Sequence, residues 1–277
     1  MTAPTSPPTS APTTRPGPAE SREYHFPRFE RRTFENGLRL IVAPVTKLPI
    51  VTVLALVDAG ATAEPPGKAG LATLTARGLL EGAAGRDGAA LAERFERIGA
   101  SVEAYADWDV SAVTLTALSA QLPEALALVR DLVRAPEFPE REVARIREER
   151  LVELLQLRAE PRGLADEQFA RAVYASSARY ALPVEGDTAS VGALTQEDVR
   201  AFYQARYRPG GTTLVFAGDV TMPEATALVE SLFGDWSGER PAAVQAGTDA
   251  ARPGRLLRVV AKADAPQSEI RVGHAGL

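Results

Sequence analysis

The run Ile50–Val57, IVTVLALV, is apolar at every position but Thr52 and carries no charge. A strand with one wet face alternates apolar and polar side chains, so a run this continuous predicts a strand at the centre of a covered sheet. Such a strand needs partners on both sides, and the sequence supplies them. Arg31–Phe34 and Leu38–Val42 flank Glu35-Asn36-Gly37, and Asn-Gly between two strand-like runs favours a tight hairpin because both residues tolerate positive φ. Ser101–Ala106 and Val110–Leu118 form a second strand-like pair, with Val113, Leu115 and Ala117 alternating against Ser111, Thr114 and Thr116. Thr212–Ala217 reads as a further strand.

Between these runs the apolar period changes. Lys68–Leu80, Ala89–Ile98, Leu122–Val133, Pro139 to about Arg158, Gly163–Tyr174, Gln196–Tyr207 and Pro223–Phe233 have helical spacing; in the second, Leu91, Phe95 and Ile98 share one stripe. Phe169, Tyr174, Phe202 and Tyr207 read as core anchors. Paired strands and paired helices in this order differ from the strict βαβ alternation of a doubly wound fold.

The flanks read differently. Residues 1–23 are rich in proline and threonine and nearly devoid of apolar side chains, so a disordered tail is expected, with order beginning near Tyr24. A main domain is expected over 24–236. Residues 237–255 are polar and rich in proline and glycine, as linkers are. The strand-like runs Leu256–Ala261 and Glu269–Val272 follow, so 256–277 reads as the opening strands of a second domain. No basic-then-apolar leader stands at the start, and no window approaches the ~18 apolar residues of a membrane span. A cytoplasmic location is the expectation, or a periplasmic one if the true start differs.

Composition removes much chemistry. The 277 residues include no cysteine and two histidines, His25 and His274, near opposite ends of the chain. A thiolate nucleophile, an iron–sulfur cluster and every cysteine-bearing zinc site are excluded, and no adjacent histidine pair can clamp a metal. A net charge of −5 without a clustered basic face argues against a nucleic-acid partner. The stretch Gly60–Lys68 invites comparison with a phosphate-binding loop, but six residues separate its glycines where four are required, and Ala69 replaces the Ser or Thr. It reads as a turn before a helix. Gly82–Gly88 reads as a glycine-rich connection. Glu142, Glu148, Glu149 and Glu153 interleave with Arg141, Arg145, Arg147 and Arg150, the pattern of a solvated helix face with i,i+4 pairs.

The order of four segments says more. AGATAEPPGKAGLATLTARGLLEGAAGRDG, ERIGASVEAYADWDVSAVTLTAL, LVRAPEFPEREVARIREERLVELLQLRAEP and ALTQEDVRAFYQARYRPGGTTLVFAGDV together resemble the M16 metallopeptidases, the family of insulinase, pitrilysin and the mitochondrial processing peptidases. The resemblance runs from about Phe34 to Leu277. It implies an α+β unit of the LuxS/MPP-like metallohydrolase fold, a mostly antiparallel sheet backed by helices and duplicated in tandem. Active members carry an inverted zinc motif, His-x-x-Glu-His, in which two histidines hold zinc and the glutamate is the general base. Here the corresponding segment is Leu71–Gly78, and the resemblance puts Thr73 at the first histidine, Ala76 at the base and Arg77 at the second histidine. The family's third ligand corresponds to Glu153. Glu103 stands in the strand that contacts substrate, where active members more often have asparagine, so Glu103 and Ala104 are the peptide-binding candidates.

The resemblance therefore implies a non-catalytic homologue that holds no zinc of its own and partners an active M16 subunit or forms a homo-oligomer, lining a chamber for unfolded peptides. An arginine at a ligand position should repel the metal and pair with Glu153. Two alternatives remain: a scaffold resembling the processing-peptidase-like core subunits of respiratory complexes, or a zinc endopeptidase using groups outside this segment.

Overall fold

The structure is a computed structural model that describes residues 28–244, 254–263, 265 and 267–274. The tail expected over 1–23 lies outside the described residues, as does the middle of the expected linker. Elements follow the chain as β1 (Glu30–Thr33), β2 (Arg39–Pro44), β3 (Ile50–Val57), α1 (Leu71–Gly78), β4 (Gly82–Ala83), β5 (Arg86–Asp87), α2 (Gly88–Arg97), β6 (Ser101–Ala106) and β7 (Ser111–Leu118). Then come α3 (Leu122–Arg134), α4 (Glu140–Ala159), α5 (Pro161–Val173), α6 (Thr188–Gly192), α7 (Gln196–Arg206), β8 (Thr212–Gly218) and α8 (Met222–Phe233).

Six strands form one sheet in the order β1-β2-β8-β3-β7-β6, and β4 and β5 form a separate two-stranded ladder. The β2–β8 pair is parallel and every other pair in the large sheet is antiparallel. The hairpin expected at Asn36-Gly37 joins β1 and β2, with Gly37 at φ +85° and its amide bonded to the Phe34 carbonyl at 2.9 Å. β3 is central, as its composition predicts. It is covered on one face only: Val51, Val53, Ala55 and Val57 are buried while Thr52, Leu54 and Leu56 are half-buried. Ser111 pairs with Val57 and so shares the core face with Val113 and Leu115, opposite to its expected side. Its hydroxyl donates to the Ala59 carbonyl at 2.7 Å, which satisfies a polar group at a buried strand end.

The core fills the space between the buried sheet face and the helices. Leu40, Val42, Leu115, Leu214 and Phe216 meet Leu71, Leu74, Leu126, Val129, Val229 and Phe233 there. Phe202 and Tyr207 are buried as expected, but Phe169 and Tyr174 are only half-buried, because α5 lies outside this core and Tyr174 packs its ring on Tyr180 at 5.6 Å. The expected strands at Leu256–Ala261 and Glu269–Val272 form no ladder. Leu257, Val259, Ile270 and Val272 are more than three-quarters exposed, so these apolar side chains find no cover among the described residues. No helix among the described residues is long and apolar enough to cross a membrane.

Candidate functional site

Helix α1 begins at Gly70, whose φ of +94° is left-handed and whose missing Cβ would lie 2.7 Å from the Glu185 carbonyl oxygen. Only glycine fits both conditions. Glu64 completes the cap from a distance: its Oε1 accepts from the amides of Gly70 at 3.0 Å and Ala72 at 2.9 Å. Its Oε2 accepts from Arg179 Nε at 2.6 Å. The remaining Arg179 nitrogens donate to the carbonyls of Leu182, Pro183 and Val184. The Glu64 side chain is only 1% exposed. Burial pushes its carboxyl up, against the opposing pull of Arg179 and the two amides. The clamp ties the start of α1 to residues 179–184, so the orientation of the helix is set before any functional side chain is considered.

On α1, Thr73 and Arg77 are four residues apart and share a face. Thr73 is 8% exposed, and its Oγ1 has no hydrogen-bond partner. Arg77 reaches to α4 and binds Glu153 in a bidentate fork, Nη1 to Oε1 and Nη2 to Oε2, both at 3.0 Å. Arg150, one turn earlier on α4, donates from Nη1 to Glu153 Oε2 at 2.6 Å. Two guanidiniums thus hold one carboxylate. Partial burial disfavours ionisation of Glu153, but the hydrogen bonds from Arg77 and Arg150 outweigh it and hold the carboxyl below its ordinary range. Ala76 is fully buried and contributes no donor atom. Directly after Arg77, Gly78 lets the Phe138 ring approach to a distance, 2.9 Å from an added Cβ, that any side chain would block.

A zinc centre needs three or four donors free of protons and positive charge. Thr73, Ala76, Arg77 and Glu153 offer one carboxylate, already occupied by two cations. They do not fit zinc. Among the described residues, no group of three His, Cys, Asp or Glu side chains is placed to hold a metal ion.

The peptide-binding candidates lie beside this centre. β6 is an edge of the large sheet, and its outer backbone has no strand partner among the described residues. Glu103 is exposed and Ala104 faces the core side, so the two cannot present side chains to one ligand face. What they share is the open edge. The edge belongs to an element packed on α1.

The expected solvated face of α4 is present in part: Arg145 binds Glu149 at 2.6 Å, Glu142 at 2.7 Å and, across to the turn after α1, Glu81 at 2.6 Å. Arg150 departs from it, its side chain being only 11% exposed. The i,i+3 spacing to Glu153 is the signal that could have singled it out. The Gly60–Lys68 stretch is the turn it was read to be, but Glu64 within it is a cap, and nothing in the sequence links it to Arg179 across 115 positions.

Comparison with known proteins gives this arrangement its context. The family described as "Insulinase (Peptidase family M16)" matches residues 41–186, and "Peptidase M16 inactive domain" matches residues 193–273. An uncharacterized zinc protease of Mycobacterium tuberculosis is 26% identical over 261 residues, covering 94% of this chain and 59% of its own length. Cytochrome b-c1 complex subunit 1 of Bos taurus is 27% identical over 214 residues, 76% of this chain and 44% of its own. A solved peptidase M16 inactive domain from Pseudomonas fluorescens superposes with a TM-score of 0.73 at 26% identity, covering 79% of this chain and 53% of that one. The chain spans 50% to 59% of the length of the zinc-protease relatives it matches. The match over residues 41–186, more than half of the chain, places it in peptidase family M16.

Proposed function

We propose that this chain is a non-catalytic M16 homologue that partners an active zinc M16 peptidase and contributes one wall of a peptide-binding chamber. The observation that carries the reading is the bidentate Arg77–Glu153 pair, backed by Arg150, at the positions the family resemblance assigns to zinc ligands. A guanidinium in that place repels a divalent cation and consumes the one available carboxylate. In this reading the chain has no cofactor, and zinc resides in the partner. The open edge of β6 would receive an extended peptide by strand addition, its main chain supplying the affinity. Residues 256–277 would belong to a second M16-type unit in the assembled protein.

A structural reading is the alternative, and the 27% identity to cytochrome b-c1 complex subunit 1 favours it. Peptide binding separates the two. The test is to co-purify this protein with an M16 subunit that has an intact His-x-x-Glu-His and assay each alone and both together on unfolded peptides. Activity that requires both chains, and survives Glu153→Gln in this one, is the expected result. A partner fully active alone and unchanged on mixing contradicts the proposal.

A further inference from the structure

The two edge strands of the large sheet differ in how they would meet a neighbour. β1 is four residues long, every side chain in it is exposed, and three of the four are charged. Short, charged edges of that kind discourage another strand from pairing. β6, at the other end, is six residues long, carries one charge, and has no strand partner along its outer backbone among the described residues. Its side chains alternate strictly. Ser101, Glu103 and Tyr105 are exposed on one face, and Val102, Ala104 and Ala106 are half-buried on the other. The turn that follows continues the exposed face with Asp107 and Asp109. Glu103 makes no ion pair or side-chain hydrogen bond among the described residues. Asp107 accepts from the Trp108 amide at 2.7 Å, and Asp109 from the Tyr180 hydroxyl at 3.5 Å. Thr114 and Ala112, which pair with Glu103 and Tyr105 on β7, are uncharged, so the neighbouring strand does not offset the negative charge.

We infer that the β6 edge selects a basic extended segment, with a Lys or Arg opposite Glu103 and, two positions away, an apolar or aromatic residue opposite Tyr105. The inference rests on the peptide-binding reading above and names the class of peptide. In strand addition the guest main chain bonds to the open edge, and its alternate side chains stand beside those of the host strand. Directly opposed side chains are close enough to interact; opposite charges and aromatic–apolar pairs favour a register, and like charges oppose it. Asp107 and Asp109 extend the negative field beyond the strand and draw a basic segment towards the edge. The same charges disfavour a second copy as the occupant, since pairing β6 with β6 in antiparallel sense sets one acidic face against another.

Charge reversal gives the test. Fluorescein-labelled, unstructured peptides with the central sequence Xaa-Ala-Phe, where Xaa is Lys, Gln or Glu, are titrated onto the protein by anisotropy. The Lys peptide is expected to bind about threefold to fivefold more tightly than the Gln peptide, the size of one exposed cross-strand charge pair, and the Glu peptide more weakly than either. Glu103→Lys should reverse that order, which a mere loss of folding cannot do, and Arg31→Gln on the opposite edge should leave it unchanged. Melting curves verify that each variant is folded. N-methylation of one alternate set of amides in the Lys peptide should abolish binding and of the other set spare it, because strand addition spends only every second donor. Equal affinity for the three peptides, with N-methylation still blocking, overturns the charge selection and leaves peptide binding standing. A Lys preference that persists in Glu103→Lys, or that N-methylation does not touch, overturns the assignment to the β6 edge. Sedimentation that shows the protein self-associating and releasing peptide as it does so assigns the edge to a second copy and overturns it too. No binding of any peptide overturns both readings.

Discussion

Arg77 and Glu153 are 76 positions apart in the chain and meet in a two-point fork. The pair is neither fully buried nor fully exposed, and that decides its energetics. Breaking a buried pair strands a charge and costs about 3–5 kcal/mol, whereas an exposed pair contributes under about 1 kcal/mol. Here Arg77→Ala leaves Glu153 still bound to Arg150, and solvent reaches both partners. The expected loss is therefore about 1 kcal/mol by chemical denaturation. A double-mutant cycle with Glu153→Gln should show non-additivity, while additive effects would mean the residues do not meet in solution. The coupling should also depend on pH with a definite sign. The folded carboxyl is held below its ordinary value of 4.5, so the contribution is complete above that value and is lost as pH falls through the lower folded one.

At the scale of elements, the clamp on α1 is where the fold concentrates its stake in the site. Glu64 is almost wholly enclosed and caps the helix, and Arg179 both neutralises it and fastens three carbonyls. Arg179→Met should cost about 3–5 kcal/mol, because a buried carboxylate is left without its cation. Amide exchange should accelerate first at the start of α1. A loss under about 1 kcal/mol would show that water replaces the guanidinium. The individual elements were legible in the sequence because each is encoded locally. Asn36-Gly37 specifies its hairpin, Ser101–Ala106 and Ile50–Val57 carry strand composition, and the helices between 122 and 159 show their period. The short α6 was not legible, since five residues, Thr188–Gly192, are too few to display a period; its Asp187 cap is the visible trace. The two-residue ladder of β4 and β5 is hidden for the same reason.

At the scale of the whole molecule, what the sequence left unstated is the arrangement of distant elements. β8 enters between β2 and β3, parallel to one and antiparallel to the other, and no local pattern encodes that insertion. The candidate site was legible only through the family resemblance, which placed Arg77 and Glu153 in corresponding positions; periodicity alone assigned Glu153 to a solvated face. Arg150 stayed hidden because burial, a property of the assembled fold, is what distinguishes it from its neighbours. The central claim is that this assembly has an ion pair where an M16 peptidase would hold zinc. Zinc content settles that most directly. The purified protein is equilibrated with excess zinc, dialysed, and analysed for metal by mass spectrometry. One carboxylate shared by two arginines predicts far less than one equivalent per chain, whereas one zinc per chain retained through dialysis would contradict the account.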